Sequence, residues 1–341
     1  MKRMALVMKG SPVRVRASAP RKPLLRRGFR LIARPSWVRR GQRRWQRVAS
    51  PPPDTISRCA RRRPHLPESI VDFARPPVVE VALAVQFGAP SLDTLDIAAL
   101  ADHFREAFPR RAEQPPRPPM QEDFEDARQP QPITVEFFPA PPTPRFWFLS
   151  EDESQLIQVQ QDLVAYNWRR MRETDAYPRY TSLRRALVDR LRTSERILKE
   201  RGKGSFEPNW CEVTYVNHVI APETSKRRPP LRDVISLVSR GQPKAAFLPE
   251  PEDVQLAARY RIVRDDEPVG RLTVSAAPGI RNTDGRPIWG LTLTARVRAS
   301  ASKLDKAFEA LDLGHEWVVR GFVDVTTKRM HDDWGIRGDD R

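Results

Sequence analysis

From about residue 78 to residue 202, hydrophobic and polar residues alternate with the periods that are typical of strands and helices. Residues 78–87 form a β-branched-rich run that Pro76-Pro77 and Gly88 bound, which predicts a first strand. Residues 95–108 carry apolar side chains at helical spacing and predict a helix. The pattern then predicts an exposed proline-rich loop at residues 109–132, strands at 133–138, 145–149 and 155–166, and an amphipathic helix at 181–202.

A second set of elements follows in the same order. Strands are predicted at residues 210–220, 254–263, 270–276 and 288–298, with a short helix at 231–239 and a closing helical region at 303–326. Gly314 and Gly321 are expected to divide that last region into two helices. Both sets therefore have the order β-α-β-β-β-α.

The common order predicts an internal duplication. Residues 79–81 and 211–213 hold the same place in their first strands, and the same offset aligns residues 157–159 with 289–291. Identity between the halves is low, so the element order is the stronger argument, and an unduplicated α+β chain is the alternative. Because hairpins join most strands, we expect an α+β fold with a largely antiparallel sheet and helices packed on one face.

Two such halves, at residues 66–204 and 205–335 with a tail at 336–341, commonly pair about a pseudo-twofold axis. One continuous sheet with an exposed concave face would result. That face is a plausible place for a ligand, a peptide or nucleic acid.

Charge is concentrated at the N-terminus. Residues 1–65 contain 20 Lys+Arg and one acidic residue, whereas residues 66–341 contain 40 Lys+Arg and 42 Asp+Glu. The first segment lacks a persistent apolar period, so it is predicted to be a disordered basic extension. A phosphate-binding arm is the functional alternative for this segment. For the near-neutral remainder, nucleic-acid binding is disfavoured, although an arginine patch around Arg169 would still permit it.

The extension also has the properties expected if the start codon of the gene were assigned too far upstream, so that residues 1–65 are not part of the natural protein. The stretch Ser11-Pro12-Val13-Arg14-Val15-Arg16-Ala17 can be encoded by the T-arm of a transfer RNA gene, and no Met lies between Met8 and Met120. The folded, functional part of the chain is therefore expected to begin at about Leu66.

Several protein classes are excluded or disfavoured. No run approaches the roughly 20 apolar residues of a membrane-spanning helix, and no membrane association is expected. Two cysteines, Cys59 and Cys211, make no disulfide framework, so a cytoplasmic location is expected. The sequence lacks the common zinc-protease, P-loop and nucleophile-elbow motifs, and we expect no cofactor and no metal. Cys211 is predicted to be a buried apolar residue and not a nucleophile.

The candidate binding residues are polar and aromatic and lie mostly in and after the predicted strand at residues 155–166. They are Gln158, Gln160, Asp162, Asn167, Trp168, Arg169, Tyr177, Tyr180 and His218. The first three are predicted to share one face of the strand. An amide row with aromatic and guanidinium groups suits recognition of a peptide, base or carbohydrate. The alternative is a solvated sheet face, with the aromatic residues packing a strand-to-helix corner.

His218 is expected on the same strand face as Glu212, Thr214 and Val216. Six residues separate His218 from Glu212, about 20 Å along a strand, so a small acid–base or metal site needs other residues. A structural, hydrogen-bonded role is the alternative for His218. His315-Glu316 and His331-Asp332-Asp333 form a second polar group, which more often marks a solvated terminus than a metal site.

Several stretches together resemble a family. They are Arg75–Val81, Gln155–Gln160 with Asn167-Trp168-Arg169, Tyr177–Tyr180, Cys211–His218, His315-Glu316-Trp317 and Met330–Gly335. In this order they resemble a sporadically distributed family of uncharacterised bacterial proteins, over about Leu66–Gly335. The resemblance implies no activity and no catalytic residues.

The sequence therefore leaves three functions open. The favoured one is a non-catalytic module that binds a protein or a small ligand across the sheet. The second is an enzyme of unfamiliar type with a polar site between the halves. The third is a nucleic-acid-binding protein.

Overall fold

The computed structural model describes residues 71–88, 92–124, 143–221, 227–238 and 253–337. All of them belong to the unit Leu66–Arg341. The predicted basic extension at residues 1–65, the predicted strand at 133–138 and the end of the predicted tail lie outside the described residues.

Strands and helices alternate along the described part of the chain. The strands are β1 (Asp72–Phe73), β2 (Val78–Phe87), β3 (Arg110–Gln114), β4 (Arg145–Leu149), β5 (Gln155–Gln160), β6 (Leu163–Arg169), β7 (Pro208–Ile220), β8 (Leu256–Arg264), β9 (Glu267–Ile280), β10 (Pro287–Arg298) and β11 (Ile336–Arg337). The helices are α1 (Thr94–Phe104), α2 (Tyr180–Glu200), α3 (Leu231–Val234), α4 (Leu304–Val325) and α5 (Lys328–Trp334). None of these helices combines the length and the apolarity that a membrane crossing requires.

Nine of the described strands form one antiparallel sheet in the order β3-β4-β5-β6-β2-β7-β10-β9-β8. The pair β2–β7 lies inside it, with Leu83 opposite Val213. Outward from this pair, β6, β5 and β4 follow on one side, and β10, β9 and β8 follow on the other. The chain is therefore an α+β protein with a large antiparallel sheet, as the sequence predicts.

Helices α2 and α4 pack on one face of the sheet, which we call the helix face. Helix α2 contacts β6 and β2, whereas α4 contacts β7, β9 and β10, and α1 packs on α2. The strands present alternate apolar side chains to these helices, among them Leu83, Val213 and Leu293, and all three are buried. The remaining side chains of each strand point to the opposite side, which we call the open face.

Helix α4 continues through Gly314 and Gly321, so the predicted division at these glycines is wrong. A Cβ atom at Gly314 would lie 3.1 Å from Val213 Cγ2, and one at Gly321 would lie 2.6 Å from Leu272 Cδ2. The glycines let the helix approach the sheet closely, and this packing outweighs their low helix propensity. The second helix, α5, begins only after Thr327.

A small two-stranded sheet joins the two ends of the described unit. Strand β1 pairs with β11, with Phe73 opposite Ile336. The Phe73 ring lies 5.6 Å from that of Phe322 and 6.0 Å from that of Trp334. The last helix and the first strand are therefore packed together at the end of α4.

The predicted strand at residues 155–166 is wrong. It is a hairpin of β5 and β6, in which Gln161 and Asp162 form the turn. The polar turn residues fit the apolar–polar alternation of the strands on both sides of the turn. The sequence pattern therefore looked continuous and did not reveal the turn. The alignment of residues 157–159 with 289–291 is also wrong. Strand β10 lies next to β7, and the strand that lies next to β2 on the other side is β6. Residues 289–291 of β10 therefore correspond in position to β6 and not to residues 157–159 of β5.

Three further element boundaries differ from the predictions. The first helix ends at Phe104, and α3 ends at Val234 because Ile235 forms a β-bridge with Thr326. The predicted loop at residues 109–132 contains β3, so the first half has the order β-α-β-β-β-β-α. Within the same predicted loop, Met120 is buried. Pro115, Pro116, Pro118 and Pro119 are exposed and belong to no strand or helix, as predicted, whereas the buried Met120 fixes this part of the loop to the protein.

The close pairing of β9 with β10 requires glycine at position 270. A Cβ atom there would overlap the backbone carbonyl oxygen of Arg296 on the neighbouring strand. We expect Gly270→Ala to lower the free energy of unfolding by about 1–3 kcal/mol, because the strands must separate to admit the methyl group. Gly204→Ala is the matched control, since a Cβ at Gly204 has no atom within 4 Å. Urea unfolding of both variants measures the difference, and equal stability would contradict the packing.

Candidate functional site

Five of the nine predicted binding residues lie on the open face. They are Gln158 on β5, Asn167 and Arg169 on β6, Gln160 at the end of β5, and His218 on β7. Strand pairing sets this arrangement, because Gln158 lies opposite Ala165, and Arg169 lies opposite Glu80 of β2. The open face therefore collects residues from strands that are far apart in the sequence.

Three predicted binding residues lie on the helix face instead, so the nine do not form one site. Trp168 follows Asn167 in β6 and points to the other side, because successive side chains of a strand alternate. Its ring lies 5.5 Å from that of Tyr177, and the Tyr180 ring stacks on His315 at 3.8 Å. Trp168 and Arg169 therefore lie on opposite sides of the sheet.

Asp162 is also absent from the predicted polar row. It lies in the turn between β5 and β6, where its carboxylate accepts a hydrogen bond from Gln160 Nε2 at 2.8 Å. Gln158 and Gln160 do share a face, as predicted. Asp162 supports the end of this row by orienting the Gln160 amide.

A chain of hydrogen bonds crosses four strands of the open face. Trp147 Nε1 donates to Gln158 Oε1 (3.2 Å), Gln158 Nε2 donates to Asn167 Oδ1 (2.7 Å), and Asn167 Nδ2 donates to Glu80 Oε1 (2.7 Å). Every donor points toward the Glu80 carboxylate, so the chain fixes the orientation of both amides. Trp147 and Glu80 were missed by the sequence analysis, because their strands pair with the polar strand only in the folded sheet.

Arg169 connects the two ends of this chain. Its Nε lies 3.5 Å from Glu80 Oε1, and its guanidinium lies 4.8 Å from the centre of the Trp147 ring. The Arg145 guanidinium also lies over this ring, at 5.6 Å. Trp147 is thus held by two cation–π contacts. Both contacts of Glu80 fall on Oε1, and Oε2 has no hydrogen-bond partner among the described residues.

One end of the open face is covered by residues 115–124, which we call the covering segment. Two glutamine side chains hold its backbone. Gln160 accepts from Arg117 N (2.8 Å) and donates to Arg117 O (3.0 Å). Gln86 likewise accepts from Met120 N and donates to Met120 O (3.0 Å). Each amide therefore pairs with one residue of an extended chain, as a neighbouring strand would.

The covering segment also has an apolar anchor. The Met120 side chain is buried in a small cluster on the open face, together with Ala84, Leu163, Ala165 and Trp210. Phe124 packs against the same cluster. The segment contains Pro115, Pro116, Pro118 and Pro119, which favour an extended conformation and reduce the entropy lost on docking.

Ion pairs connect the covering segment to the second half of the sheet. Glu212 receives Arg117 on one carboxylate oxygen and Arg296 on the other, each at 2.8 Å. Glu122 pairs with Arg271 at 2.7 Å, and the Arg271 side chain is buried and that of Glu122 nearly so. Because buried charges are costly when unpaired, this network fixes the register of the segment on the face.

The electrostatics of Glu212 follow from these partners. Burial alone would raise the pKa of Glu212, but Arg117 and Arg296 outweigh burial and hold the pKa below its usual value of 4.5. The carboxylate is therefore ionised at neutral pH. The signal that could have found this contact is the Arg117-containing proline run, which the sequence analysis assigned to an exposed loop.

The rest of the open face is not covered by the described residues. Its centre is a group of half-buried hydroxyl side chains, which we call the hydroxyl patch: Thr214, Thr273, Ser275, Thr292 and Thr294. Thr214 and Thr294 hydrogen-bond to each other at 3.0 Å. His218 lies beside the patch on β7. Burial lowers the pKa of His218, and the positive charge of the nearby Arg281 lowers it by a smaller amount, so the imidazole is neutral at pH 7.

Two features of the described residues bear on metal binding and on the reactivity of the cysteine. No group of three or more His, Cys, Asp or Glu side chains among them is arranged to hold a metal ion. Cys211 points to the helix face, where its thiol donates to Ala307 O at 3.4 Å, and burial raises its pKa. A protonated, buried thiol is a poor nucleophile.

Comparison with protein-family models, with curated proteins and with solved structures finds no match to this chain. The resemblance to a family of uncharacterised bacterial proteins stays a prediction.

The buried Glu212 network predicts how stability depends on pH. A folded-state pKa below 4.5 stabilises the fold above that pH, and the contribution is lost as the pH falls through the folded-state pKa. We expect Glu212→Gln to cost about 3–5 kcal/mol at pH 7, because Arg117 and Arg296 lose their buried partner. The cost should shrink as the pH falls below 4.5, which thermal unfolding from pH 3 to 7 would measure.

The matched control is Glu316→Gln, which removes a half-exposed carboxylate from its pair with Arg320 on α4. Such surface pairs contribute about 0–1 kcal/mol, so this variant should change little at any pH. A Glu212→Gln cost that is the same at pH 3 and pH 7 would contradict the ionised network.

Proposed function

We propose that the protein is a non-catalytic binding module whose open face recognises an extended peptide of a partner protein. One observation carries the proposal: the side-chain amides of Gln86 and Gln160 each use both their N–H and their C=O group to pair with a single backbone residue of the covering segment. The face thus already accommodates an extended chain by contacts that do not depend on that chain's side chains. Main-chain pairing of this kind is a general mode of peptide recognition.

The hydroxyl patch is the surface on which we place the partner peptide. It continues from the covering segment across β7, β10 and β9, so a second extended chain beside that segment would meet Thr and Ser hydroxyls, which donate and accept equally well. The residues around the patch offer fixed charges of both signs. Glu80 has Oε2 without a partner, and Arg259 on β8 is exposed without an ion-pair partner among the described residues.

The internal duplication is part of the same proposal. Two halves built as β-α-β-β-β-α, with β3 as an addition to the first, agree with the common strand order on the two sides of the β2–β7 pair. A duplicated unit explains why each half supplies one side of the open face. It also explains the central pair of strands, because β2 and β7 each begin one half of the large sheet, and Gln86 of β2 lies opposite Trp210 of β7.

Selection of peptides from a phage-displayed random library tests the proposal. Peptides enriched on the full-length protein would be synthesised and titrated by calorimetry. We expect Ser275→Arg, which places a long charged side chain in the hydroxyl patch, to weaken their binding at least about tenfold, which corresponds to roughly 1.4 kcal/mol. The matched control is Ser182→Arg on the exposed side of α2, which should bind as the wild type does.

Two results would contradict the proposal. One is a folded protein that enriches no peptide, or whose selected peptides bind Ser275→Arg and the wild type equally well. The other is salt-sensitive binding of single-stranded oligonucleotides that Arg259→Ala abolishes, since that would favour nucleic acid as the partner.

A further inference from the structure

A cavity of about 250 Å³ lies on the helix side of the sheet, apart from the open face. The start of β2, the end of β7, the first turn of α2 and the middle of α4 line it. Most of its lining is apolar or aromatic and includes Phe73, Val78, Val318, Val319 and Phe322. An apolar cavity with a few converging polar groups is the usual form of a small-molecule site.

Three polar groups of the cavity form a hydrogen-bonded row. The hydroxyl groups of Tyr177 and Tyr215 are 2.7 Å apart, and the Tyr215 hydroxyl lies 3.1 Å from His315 Nδ1. The Tyr180 ring stacks on the His315 ring, and its hydroxyl donates to Asp312 at 2.8 Å. The stacking holds the imidazole in place beside Tyr215.

All three members of the row are uncharged at neutral pH. Burial lowers the pKa of His315 to about 4, and the opposing effect of Asp312 is smaller. Burial raises the pKa of Tyr177 to about 12, and burial also raises the pKa of Tyr215 well above its usual value. Neutral hydroxyl and imidazole groups can each donate or accept, so the whole row can reverse its direction to suit a ligand.

The rim of the cavity is held in a strained conformation. Arg179 has φ +68° and ψ 151°, a combination that non-glycine residues rarely adopt. Its guanidinium pairs with Asp72 across the rim and lies 5.8 Å from the centre of the Tyr177 ring. Because the ion pair already satisfies both charges, the rim offers no free charge to a ligand.

We propose that this cavity binds a small uncharged aromatic molecule that carries one hydroxyl or carbonyl group, with simple phenols as the representative class. A cavity of about 150 Å³ suffices for benzene, so a volume of about 250 Å³ accommodates a substituted ring. The phenylalanine and tyrosine rings of the lining suit an aromatic ligand, and the Tyr177–Tyr215–His315 row suits its one polar group.

Titration of the full-length protein with 4-ethylphenol tests this site. We expect saturable binding by calorimetry, and at least about tenfold weaker binding of 4-ethylbenzoate, which has similar size but a charge that the cavity cannot solvate. Val319→Trp should abolish binding by filling the cavity, and Val323→Trp, one turn further along α4 and outside the lining, should not. Tyr215→Phe should weaken binding at least about fivefold, with Tyr177→Phe as a second variant if the first does not fold.

Three results would overturn the proposal: no saturable binding of 4-ethylphenol by the folded protein, binding that survives Val319→Trp, or equal affinity for 4-ethylbenzoate. A variant on the open face distinguishes this proposal from the peptide proposal. Ser275→Arg should bind 4-ethylphenol as the wild type does, so failure at either site leaves the other proposal standing.

Discussion

The antiparallel pairing of β2 with β7 is the contact on which the rest of the fold depends. Together these two strands connect the sheet's two sides, and their alternating side chains define both of its faces. Leu83 and Val213 point to the helices, whereas their neighbours Ala84 and Glu212 point to the open face. A one-residue slip of this pair would bury Glu212 among apolar helix residues, so the pairing register and the polarity of the open face are one constraint.

The open face shows how a polar sheet surface can hold an extended chain without adding a strand. A sheet edge offers backbone groups, but a sheet face offers only side chains. Gln86 and Gln160 supply, from the face, the donor and acceptor that an edge strand would supply. Their amides are oriented by neighbours, as Asp162 orients Gln160, so little entropy is lost when they pair with a backbone. This pre-organisation is the physical basis of the proposed peptide recognition.

Much of the fold could be predicted from the sequence, because β2, β7 and the long helices carry strong periods of 2 and 3.6 residues. The hairpin of β5 and β6 could not, since its turn residues Gln161 and Asp162 are as polar as the alternation around them. The unbroken α4 was missed for a different reason: Gly314 is a helix-weakening residue that tertiary packing against Val213 makes favourable.

The candidate site was predicted in part. Gln158, Gln160, Asn167 and Arg169 were found because they lie on one polar strand pattern. Their partners Trp147 and Glu80 belong to other strands, and no local pattern reports which strands become neighbours. The docking of the covering segment was missed because an unattached loop and a docked extended chain can have the same proline-rich composition. What distinguishes them is contact with Gln86 and Gln160, which come together on one face only in the folded sheet.

Hydrogen–deuterium exchange of individual amides in the full-length protein tests whether Gln86 and Gln160 hold the covering segment on the open face. We expect the backbone N–H groups of Arg117 and Met120 to exchange slowly, although neither residue belongs to a strand or helix. We further expect Gln160→Leu to remove the protection at Arg117 while the amides of β2 and β7 stay protected. Rapid exchange of Arg117 and Met120 in the wild-type protein, at rates of an unstructured chain, would contradict this docking.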